Sequence, residues 1–360
     1  MPIVLKYETI PLMIEEELTS AKTDNSVVST TSTGDSEAFE NTLRPKDFEN
    51  YVGQSEVKGN LRVFCQAAKK RNDPLDHTLF YGPPGLGKTT LSMILAQEMG
   101  TSLRSTAGPA LEKPGDLAAI LTNLQENDIL FIDEIHRLRA PVEEILYSAM
   151  EDFAIDIVVG KGPSARTMRL NVPRFTLVGA TTKASALAGP LRDRFGHVER
   201  LRFYEADEIQ QIVERSAGIL DIPIEKDAAH MLAKCARRTP RIANRLLRRM
   251  RDFAEILHQG KVTEKVVREG LSSLSIDKRG LDHADQMYLQ SLCEKFKGGP
   301  AGLSTIASAM GEDENTVEDM IEPFLIREGF LQKTPRGRLA TESAFAHLGL
   351  SLPVRKEKLF

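Results

Sequence analysis

A glycine-rich loop limits what this chain can fold into more than any other part of its sequence. The loop is GPPGLGKT (82–89), which matches the pattern GxxxxGK[ST]. It follows HTLFYG (77–82), which is typical of a buried strand, and opens TTLSMILAQEMG (89–100), which has the pattern of an amphipathic helix. Such a loop turns its backbone N–H groups inward and holds phosphate oxygens at the helix N-terminus. We therefore predict nucleotide binding, with Lys88 on the β- and γ-phosphates and the Thr89 hydroxyl on Mg²⁺.

A second predicted buried strand ends in two acidic residues. ILFIDE (129–134) places four apolar residues before Asp133 and Glu134, and ligands of parallel sheets bind at the carboxyl ends of the strands. We expect Asp133 to hold Mg²⁺, mostly through water, and Glu134 to polarise an attacking water molecule. The second acid favours hydrolysis over nucleotide storage. Thr181 and Thr182 end a third strand pattern, where they could contact the γ-phosphate or simply close the strand.

The order of the predicted elements divides the chain. Strands alternate with helices up to about residue 203, which predicts a parallel α/β sheet, and only helices follow to about residue 274. Three more helical patterns and a hairpin around Pro335-Arg336-Gly337 are typical of a winged helix, a variant of the helix-turn-helix. We expect an N-terminal extension without packed structure, rich in Ser, Thr and acids (1–40), a large α/β ATPase domain (41–205), an all-helical domain (206–274), a winged-helix domain (275–347) and a tail (348–360).

Composition excludes several classes of protein. The 47 basic and 51 acidic residues give a net charge of −4, so any nucleic-acid-binding surface must be local. The three cysteines, Cys65, Cys235 and Cys293, form no CxxC pair, which excludes a disulfide framework and the usual zinc sites and favours a reducing cytoplasm. No apolar run approaches the length of a membrane span, and the acidic N-terminus does not have the pattern of a signal peptide. We therefore expect a cytoplasmic protein.

Two arginines are candidates for contacts with phosphate. PLRDRFG (190–196) contains Arg194, whose planar guanidinium suits phosphate oxygens and could act on the nucleotide of a neighbouring subunit. Composition alone favours a surface ion pair with Asp193 instead. Arg241 lies at a predicted helix start after Pro240 and could swing toward the nucleotide. The later arginines of that helix are more typical of a solvated or interdomain face.

Nine motifs between residues 43 and 338 form a combination typical of one family. They are LRPKDFENYVGQ (43–54), DHTLFYGPPGLGKTTL (76–91), GDLAAILTNL (115–124), ILFIDEIHRL (129–138), MEDF (150–153), GATT (179–182), PLRDRFG (190–196), RRTPRIANRLLRR (237–249) and GFLQKTPRGR (329–338). In this combination the chain resembles the RuvB family of AAA+ ATPases, motors that drive branch migration of Holliday junctions. The resemblance extends from Leu43 to about Leu350 and leaves the first 40 residues outside it.

The resemblance implies roles for individual residues. Leu43 and Arg44 would lie on the adenine side, Thr182 would be the sensor 1 residue, Arg194 the arginine finger acting on a neighbour's ATP, and Arg241 the sensor 2 arginine. The implied catalytic residues are Lys88, Asp133, Glu134, Thr182, Arg194 and Arg241, with Mg²⁺ on Thr89 and Asp133. The implied ATP-binding residues are Leu43, Arg44, Gly82, Gly85, Gly87, Lys88, Thr89, Thr90, Glu151, Asp152, Phe153, Arg194, Tyr204 and Arg241.

The resemblance also implies a function and partners. The protein would hydrolyse ATP in a homo-oligomeric ring, a hexamer, and would act on double-stranded DNA and four-way junctions in recombination, DNA repair and the SOS response. Residues 154–170 would form a hairpin that docks on the junction-binding partner RuvA. Its apolar face, Ile155, Ile157 and Val159, would stay exposed for docking or would pack on the protein's own core. The RuvC resolvase would be a further partner.

DNA contacts are expected from the wing, the predicted hairpin, rather than from the recognition helix. The resemblance implies Lys333, Arg336 and Arg338 as DNA-binding residues, although these residues could only solubilise a turn. From 275 to 345 the chain has eight basic and twelve acidic residues, and the presumed recognition helix, 314–329, is acidic. That helix should repel a groove, so the wing would hold phosphates without reading bases.

Three positions depart from the family pattern. Arg238 stands where Gly usually precedes TPR, Lys333 where Arg is common, and Glu314-Asn315 where Arg is often seen. A bidentate phosphate contact is therefore lost at the second position and any DNA contact is in doubt at the third. Two other hypotheses remain: a nucleotide-gated loader or replication initiator, and a ligand-gated transcription regulator. The acidic recognition helix counts against the regulator.

Overall fold

The chain forms two units in this computed structural model, which describes residues 34–159 and 166–352. Asp35–Thr263 make up one unit, and the residues that follow belong to the other. The expectations for residues 1–33, as part of the extension, and for 353–360, as part of the tail, lie outside the described residues. Within the described ranges, no helix is long and apolar enough to cross a membrane.

A parallel sheet of five strands lies at the centre of the first unit. Its strands are β1 (Thr78–Tyr81), β2 (Leu103–Ala107), β3 (Ile129–Asp133), β6 (Thr176–Thr181) and β7 (His197–Arg200). The order across the sheet is β2-β3-β6-β1-β7, and every neighbouring pair is parallel. The three strands that the sequence predicts are β1, β3 and β6. They are almost entirely buried, as parallel central strands are, and they confirm the predicted α/β P-loop fold.

Two edge strands, β2 and β7, are absent from the sequence prediction. Their residues, LRSTA and HVER, are mostly half-buried or exposed. An edge strand pairs on one side only and does not need a continuous apolar run. The apolar signal that marks the central strands is therefore missing from both.

Helices pack on the sheet and continue after it. Leu117 and Leu146, from two of these helices, join Leu130, Ile132 and Leu177 of the strands in one buried cluster. The helices of this unit are Gly34–Leu43, Ser55–Arg71, Lys88–Met99, Pro114–Thr122, Ala140–Asp152, Gly189–Arg192, Ala206–Ile219, Lys226–Cys235 and Pro240–Leu257, with short 3-10 turns at Gly108–Ala110, Ile135–Arg137 and Ala184–Ala186. The last three helices belong to the predicted all-helical region (206–274) and are called the lid below. The remaining helix of that region, Glu264–Ser273, falls in the other unit.

The helix Gly34–Leu43 begins inside the stretch that the sequence predicts as an unpacked extension. Phe39 of this helix lies against the last lid helix, Pro240–Leu257. The centroid of its ring is 4.8 Å from Arg248 Cζ and 6.0 Å from Arg251 Cζ. Cation–π contacts of this kind contribute about 0.5–1 kcal/mol at exposed sites. These arginines therefore hold the N-terminal helix instead of forming only a solvated face.

A separate two-stranded sheet corresponds to the predicted partner-binding hairpin, and its strands are β4 (Ala154–Val159) and β5 (Arg166–Asn171). Ile155 pairs with Leu170 and Ile157 with Met168, so these side chains share one face. Ile155 is fully buried, and Ile157 and Leu170 pack partly buried against the core, whereas Met168 is 49% exposed. The expected exposure of Ile155 is therefore wrong, because the base of the hairpin belongs to the core. The Val159 side chain lies outside the described residues.

The second unit has the predicted order of a winged helix. Its helices are Glu264–Ser273, His283–Gln290, Leu303–Met310, Glu314–Thr316, Glu322–Arg327 and Glu342–Leu348, with π-helical turns at Ser291–Lys295 and Val317–Ile321. The strands β8 (Leu331–Thr334) and β9 (Gly337–Ala340) form an antiparallel hairpin with Pro335 and Arg336 at its turn. Tyr288, Leu325 and Phe330 belong to a core of their own in this unit. The prediction of helices followed by a hairpin is confirmed.

Candidate nucleotide-binding site

Two glycines of the loop 82–89 occupy positions that a side chain could not share. Gly82 has a φ of +143°, and a Cβ there would lie 2.7 Å from the carbonyl oxygen of Leu201. Gly87 has a φ of +99°, and a Cβ there would lie 2.7 Å from the hydroxyl of Tyr51. Both positions require glycine, and the bare backbone is left to contact phosphate.

Two buried tyrosines support this loop. The hydroxyls of Tyr51 and Tyr204 lie 3.0 Å apart, and they reach the carbonyl oxygen of Leu86 at 3.4 and 3.2 Å. Burial raises the pKa of Tyr204 to about 12 and that of Tyr51 well above its usual value, so both phenols remain protonated donors. The resemblance implies that Tyr204 is an ATP-binding residue, whereas nothing in the sequence separates Tyr51 from an ordinary core tyrosine.

Lys88 is held inside the loop. Its ammonium donates hydrogen bonds to the carbonyl oxygens of Gly82 at 2.8 Å and Pro83 at 2.9 Å. Burial lowers the pKa of Lys88 to about 8, although the carboxylate of Asp133 opposes the shift. A bound phosphate would favour the charged form. Lys88 is therefore placed to exchange carbonyl partners for phosphate oxygens.

One pocket gathers most of the predicted site residues. It lies at the carboxyl ends of β1, β3 and β6, between the N-terminal helix and the lid. The predicted residues that line it are Leu43, Arg44, Gly85, Gly87, Lys88, Thr89, Thr90, Asp133, Glu134, Thr182, Tyr204 and Arg241. Gly82 does not line the pocket, but its carbonyl oxygen accepts a hydrogen bond from Lys88, which does. The pocket thus joins the phosphate loop, the acidic strand end, the third strand end and the lid.

Sequence reasoning missed several residues on the adenine and lid side of the pocket. Glu40, Ile212, Arg215 and Asn244 line it. Arg215 donates a hydrogen bond to the carbonyl oxygen of Leu43 at 2.9 Å, and Glu40 lies 3.8 Å from Arg241 Nε. The helices that carry Ile212, Arg215 and Asn244 have sequence patterns that indicate amphipathic packing alone. Glu40 lies in the stretch predicted to lack packed structure, so only the fold relates these four residues to the pocket.

Four residues that the resemblance implies as nucleotide contacts lie outside this chain's own pocket: Glu151, Asp152, Phe153 and Arg194. Arg194 lies 3.1 Å from the carboxylate of Glu151, and its guanidinium stands 4.8 Å over the ring of Tyr147. Asp152 pairs with Arg169 at 2.9 Å, and Phe153 packs against Phe175. Arg194 does not make the ion pair with Asp193 that composition favours, because Glu151 is its partner; Arg192, the other arginine of the turn, lies 3.8 Å from Asp193 instead.

The pocket has the donors that Mg²⁺ prefers. Thr89 and Asp133 both line it, and they offer a hydroxyl and a carboxylate. In the part of the chain that the structure describes, no group of three or more His, Cys, Asp or Glu side chains could hold a metal alone. Mg²⁺ bound to a nucleotide needs only one or two protein ligands beside phosphate oxygens and water. The residues present therefore fit Mg²⁺.

The predicted DNA-contacting cations of the wing form an ion network within their own unit. Lys333 Nζ lies 3.0 Å from Glu318 Oε1 and 3.0 Å from Glu322 Oε2. Arg338 donates to Glu322 at 2.8 and 3.2 Å. Only 16% of the Arg338 side chain is exposed, whereas Arg336 at the turn is exposed. The three predicted cations are therefore not equivalent.

Glu322 is the centre of this network. Its side chain is fully buried, and its carboxylate also accepts a hydrogen bond from Tyr288 at 3.0 Å. Burial raises the pKa of Glu322, but hydrogen bonds from Arg338, Lys333 and Tyr288 outweigh burial and hold the pKa below its usual value. Arg338 consequently has a structural partner that the sequence prediction did not include.

Known proteins resemble the chain over most of its length. Family models match the Holliday junction DNA helicase RuvB P-loop domain at residues 43–201, the RuvB AAA lid domain at 204–277 and the RuvB C-terminal winged helix domain at 278–349. A solved structure of Thermotoga maritima RuvB, a Holliday junction branch migration motor, is 45% identical and covers 87% of this chain and 100% of its own, with a TM-score of 0.77. A variant of the same RuvB is 46% identical, covers 86% and 99%, and has a TM-score of 0.78.

Proposed function

The chain belongs to the RuvB family, and from that membership we propose that it converts ATP and water to ADP and phosphate and uses the free energy to drive branch migration. The observation that carries the proposal is the pocket, which brings Lys88, Thr89, Asp133, Glu134 and Thr182 together from three separate segments. A loader or initiator, the second hypothesis, needs the same pocket for binding. Glu134 directly follows Asp133, the acid that would hold the metal, and this second acid favours hydrolysis over nucleotide binding alone.

In the proposed reaction each residue has a distinct task. Lys88 pairs with phosphate oxygens, and Thr89 and Asp133 hold Mg²⁺, which when bound neutralises charge on the phosphates. Glu134 polarises the attacking water, and Thr182 orients the water or the γ-phosphate. Arg241 approaches the same phosphate from the lid, which would make the lid sensitive to the nucleotide.

We expect Arg194 to act on the nucleotide of a neighbouring subunit in a hexameric ring. It lies outside its own pocket, and Glu151 and Tyr147 hold its guanidinium. An arginine supplied from outside can stabilise charge that develops on the γ-phosphate. Glu151, Asp152 and Phe153 would then lie near the subunit interface.

We propose that the hairpin β4–β5 docks on RuvA through the outer part of its apolar face. Met168 is half exposed, and Ile157 lies beside it in the register, partly buried. An apolar face that passes from the core into solvent suits a docking surface. RuvC would be a further partner of the complex, whose work in DNA recombination and repair would take place in the cytoplasm.

The wing would hold duplex DNA and four-way junctions by their phosphates. Arg336 is exposed and Lys333 is 42% exposed, so both cations can approach a phosphate. Arg338 would contribute mainly by fixing the hairpin, because its guanidinium is committed to Glu322. Phosphate contacts carry no base identity, which suits a motor that acts on any sequence.

The test uses purified protein, RuvA, Mg²⁺, ATP and a synthetic four-way junction. We expect ATP-dependent movement of the junction by the native protein. Glu134→Gln should bind ATP without turnover, and Lys88→Ala should lose binding and turnover. If the native protein hydrolyses ATP and binds DNA but never moves the junction with RuvA, the loader or initiator hypothesis is favoured.

A further inference from the structure

His136 follows the acidic pair in ILFIDEIHRL (129–138), and the proposed reaction gives it no role. Its ring lies between two groups of the site. Nδ1 is 2.9 Å from Thr181 Oγ1, and Nε2 is 3.7 Å from Glu134 Oε2. Only 10% of the His136 side chain is exposed, and Thr181 is fully buried. The imidazole therefore joins the end of β6 to the carboxylate that would polarise water.

The backbone keeps these groups in place. Glu134 has the left-handed conformation, with a φ of 50°, and the 3-10 turn Ile135–Arg137 carries His136 directly after it. The carbonyl of Glu134 packs against Gly108, where a Cβ would lie 2.5 Å from the oxygen. A non-glycine residue in this strained region persists only where its surroundings hold it, and such residues cluster at functional sites.

The Thr181 hydroxyl and the Glu134 carboxylate together favour one neutral tautomer of His136. Thr181 Oγ1 accepts a hydrogen bond from the Lys183 backbone N–H at 3.0 Å, so its own hydroxyl proton can point to Nδ1. Nε2 then carries the hydrogen of a neutral ring and directs it toward the Glu134 carboxylate. The other tautomer would set a lone pair against that carboxylate. Burial lowers the pKa of His136, although Glu134 opposes the shift, so the ring is neutral at ordinary pH.

We infer that His136 is a positioning residue that holds Glu134 Oε2 and leaves Oε1 for the attacking water. The inference rests on the proposed ATP hydrolysis. Thr181 also ties this arrangement to the phosphate loop, because its carbonyl accepts a hydrogen bond from the Gly82 N–H at 3.2 Å. The contact between His136 and Glu134 is longer than a hydrogen bond, and such contacts often shorten when substrate binds.

The experiment compares ATPase rates of near-isosteric variants. His136→Gln carries an amide N–H near the position of Nε2, whereas His136→Asn keeps a polar group only near Nδ1. Thr181→Val removes the hydroxyl that faces Nδ1, whereas Thr181→Ser keeps it. We expect His136→Asn and Thr181→Val to lower kcat about 10- to 100-fold with KM for ATP nearly unchanged, and we expect the Gln and Ser variants to keep most of the rate.

His77 supplies a matched control for the loss of a buried imidazole. It lies in the same unit and hydrogen-bonds only to backbone, to the Met150 carbonyl at 3.2 Å and from the Leu177 N–H at 2.8 Å. His77→Asn should lower thermal stability while kcat per folded molecule stays near the native value. A similar loss of kcat in this variant and in His136→Asn would overturn the inference.

Glu134→Gln, measured in parallel, separates the two proposals. If the native protein does not hydrolyse ATP, or Glu134→Gln is equally active, the proposed function fails. If Glu134→Gln abolishes turnover while His136→Asn and Thr181→Val keep the native kcat, the inference alone fails. Equal loss in His136→Gln and His136→Asn would also overturn it, because it would show that the Nε2–H is not what matters.

Discussion

Arg338→Ala should destabilise the winged helix and not only remove a candidate phosphate contact. Arg338 makes hydrogen bonds of 2.8 and 3.2 Å to Glu322, whose side chain is fully buried. Removing one partner of a buried ion pair typically costs about 3–5 kcal/mol, because the other charge is left without compensation. Lys333 and Tyr288 still lie 3.0 Å from the Glu322 carboxylate. We therefore expect a loss of about 2 kcal/mol, below the usual range.

Thermal unfolding of the whole chain and hydrogen exchange of β8 and β9 measure this effect. A loss of about 2 kcal/mol corresponds to a fall in Tm of roughly 8–16 °C for a domain of this size and to about 30-fold faster exchange of amides that open with the unit. Arg336→Ala is the control, because Arg336 is exposed on the same hairpin and should change stability by about 0.5 kcal/mol or less. The triple variant Tyr288→Phe/Glu322→Leu/Arg338→Met should recover most of the loss, because it leaves no buried charge and no buried Tyr288 hydroxyl without a partner.

The reasoning is refuted if Arg338→Ala is as stable as Arg336→Ala. If that stable variant also reduces the slope of log DNA affinity against log salt by about 0.9, Arg338 is a phosphate contact first and a structural residue second. A stability loss equal in the triple and single variants would also contradict the argument, since it would assign the loss to packing of the Arg338 side chain and not to its charge.

Three further predictions concern nucleotide, ring and partner. Burial lowers the pKa of Lys88 to about 8, and bound phosphate should raise it, so ATP binding at pH 8 should take up about half a proton and weaken as pH rises above 8. Calorimetry in buffers of different ionisation enthalpy measures the proton uptake. No uptake at pH 8 would contradict the assignment of Lys88 to the phosphates. Arg194→Ala subunits, inactive alone, should regain ATPase when mixed with Lys88→Ala subunits; no recovery despite verified exchange would count against a shared site. Met168→Asp should abolish RuvA binding and change the free energy of unfolding by about 0.5 kcal/mol or less, whereas Ile155→Asp should unfold the base of the hairpin. Equal stability of the two variants would contradict the argument that Ile155 is buried and Met168 is exposed.

The sequence predicts the centre of the site better than its surroundings. Lys88, Thr89, Asp133 and Glu134 belong to motifs in which chemistry fixes both residue type and spacing, and all four line one pocket. Each motif also sits at a strand end, so the parallel sheet brings the motifs together. A local pattern of this kind is sufficient because the strands that carry it are buried and strongly apolar.

Residues that reach the pocket from helices could not be predicted in the same way. Glu40, Arg215 and Asn244 line the pocket from three different helices, and the periodicity of those helices reports only which face is apolar. Glu40 lies within the segment whose composition predicts disorder, but Phe39 beside it finds arginine partners in the lid. Contacts between distant segments therefore outweigh the local composition there.

The strand register of the wing shows which of its charged side chains face each other, which a count of charges does not. Lys333 lies directly opposite Arg338 in the hairpin, and two like charges on one face repel each other. Glu318 and Glu322 of the recognition helix contact both cations. The acids that should repel a DNA groove therefore also neutralise the hairpin that would hold DNA.

A phosphate must consequently compete with Glu318 for Lys333. Lys333→Ala should reduce the slope of log affinity against log salt by less than the roughly 0.9 expected for a fully available cation. In a Glu318→Gln background, Lys333 loses one charged partner but keeps Glu322 at 3.0 Å. DNA should therefore bind more tightly, and the effect of Lys333→Ala should grow toward that value. Salt titrations on two unrelated duplexes measure the slopes. If the effect of Lys333→Ala is the same in both backgrounds, Glu318 does not compete with DNA, and the acidic helix only stabilises the wing.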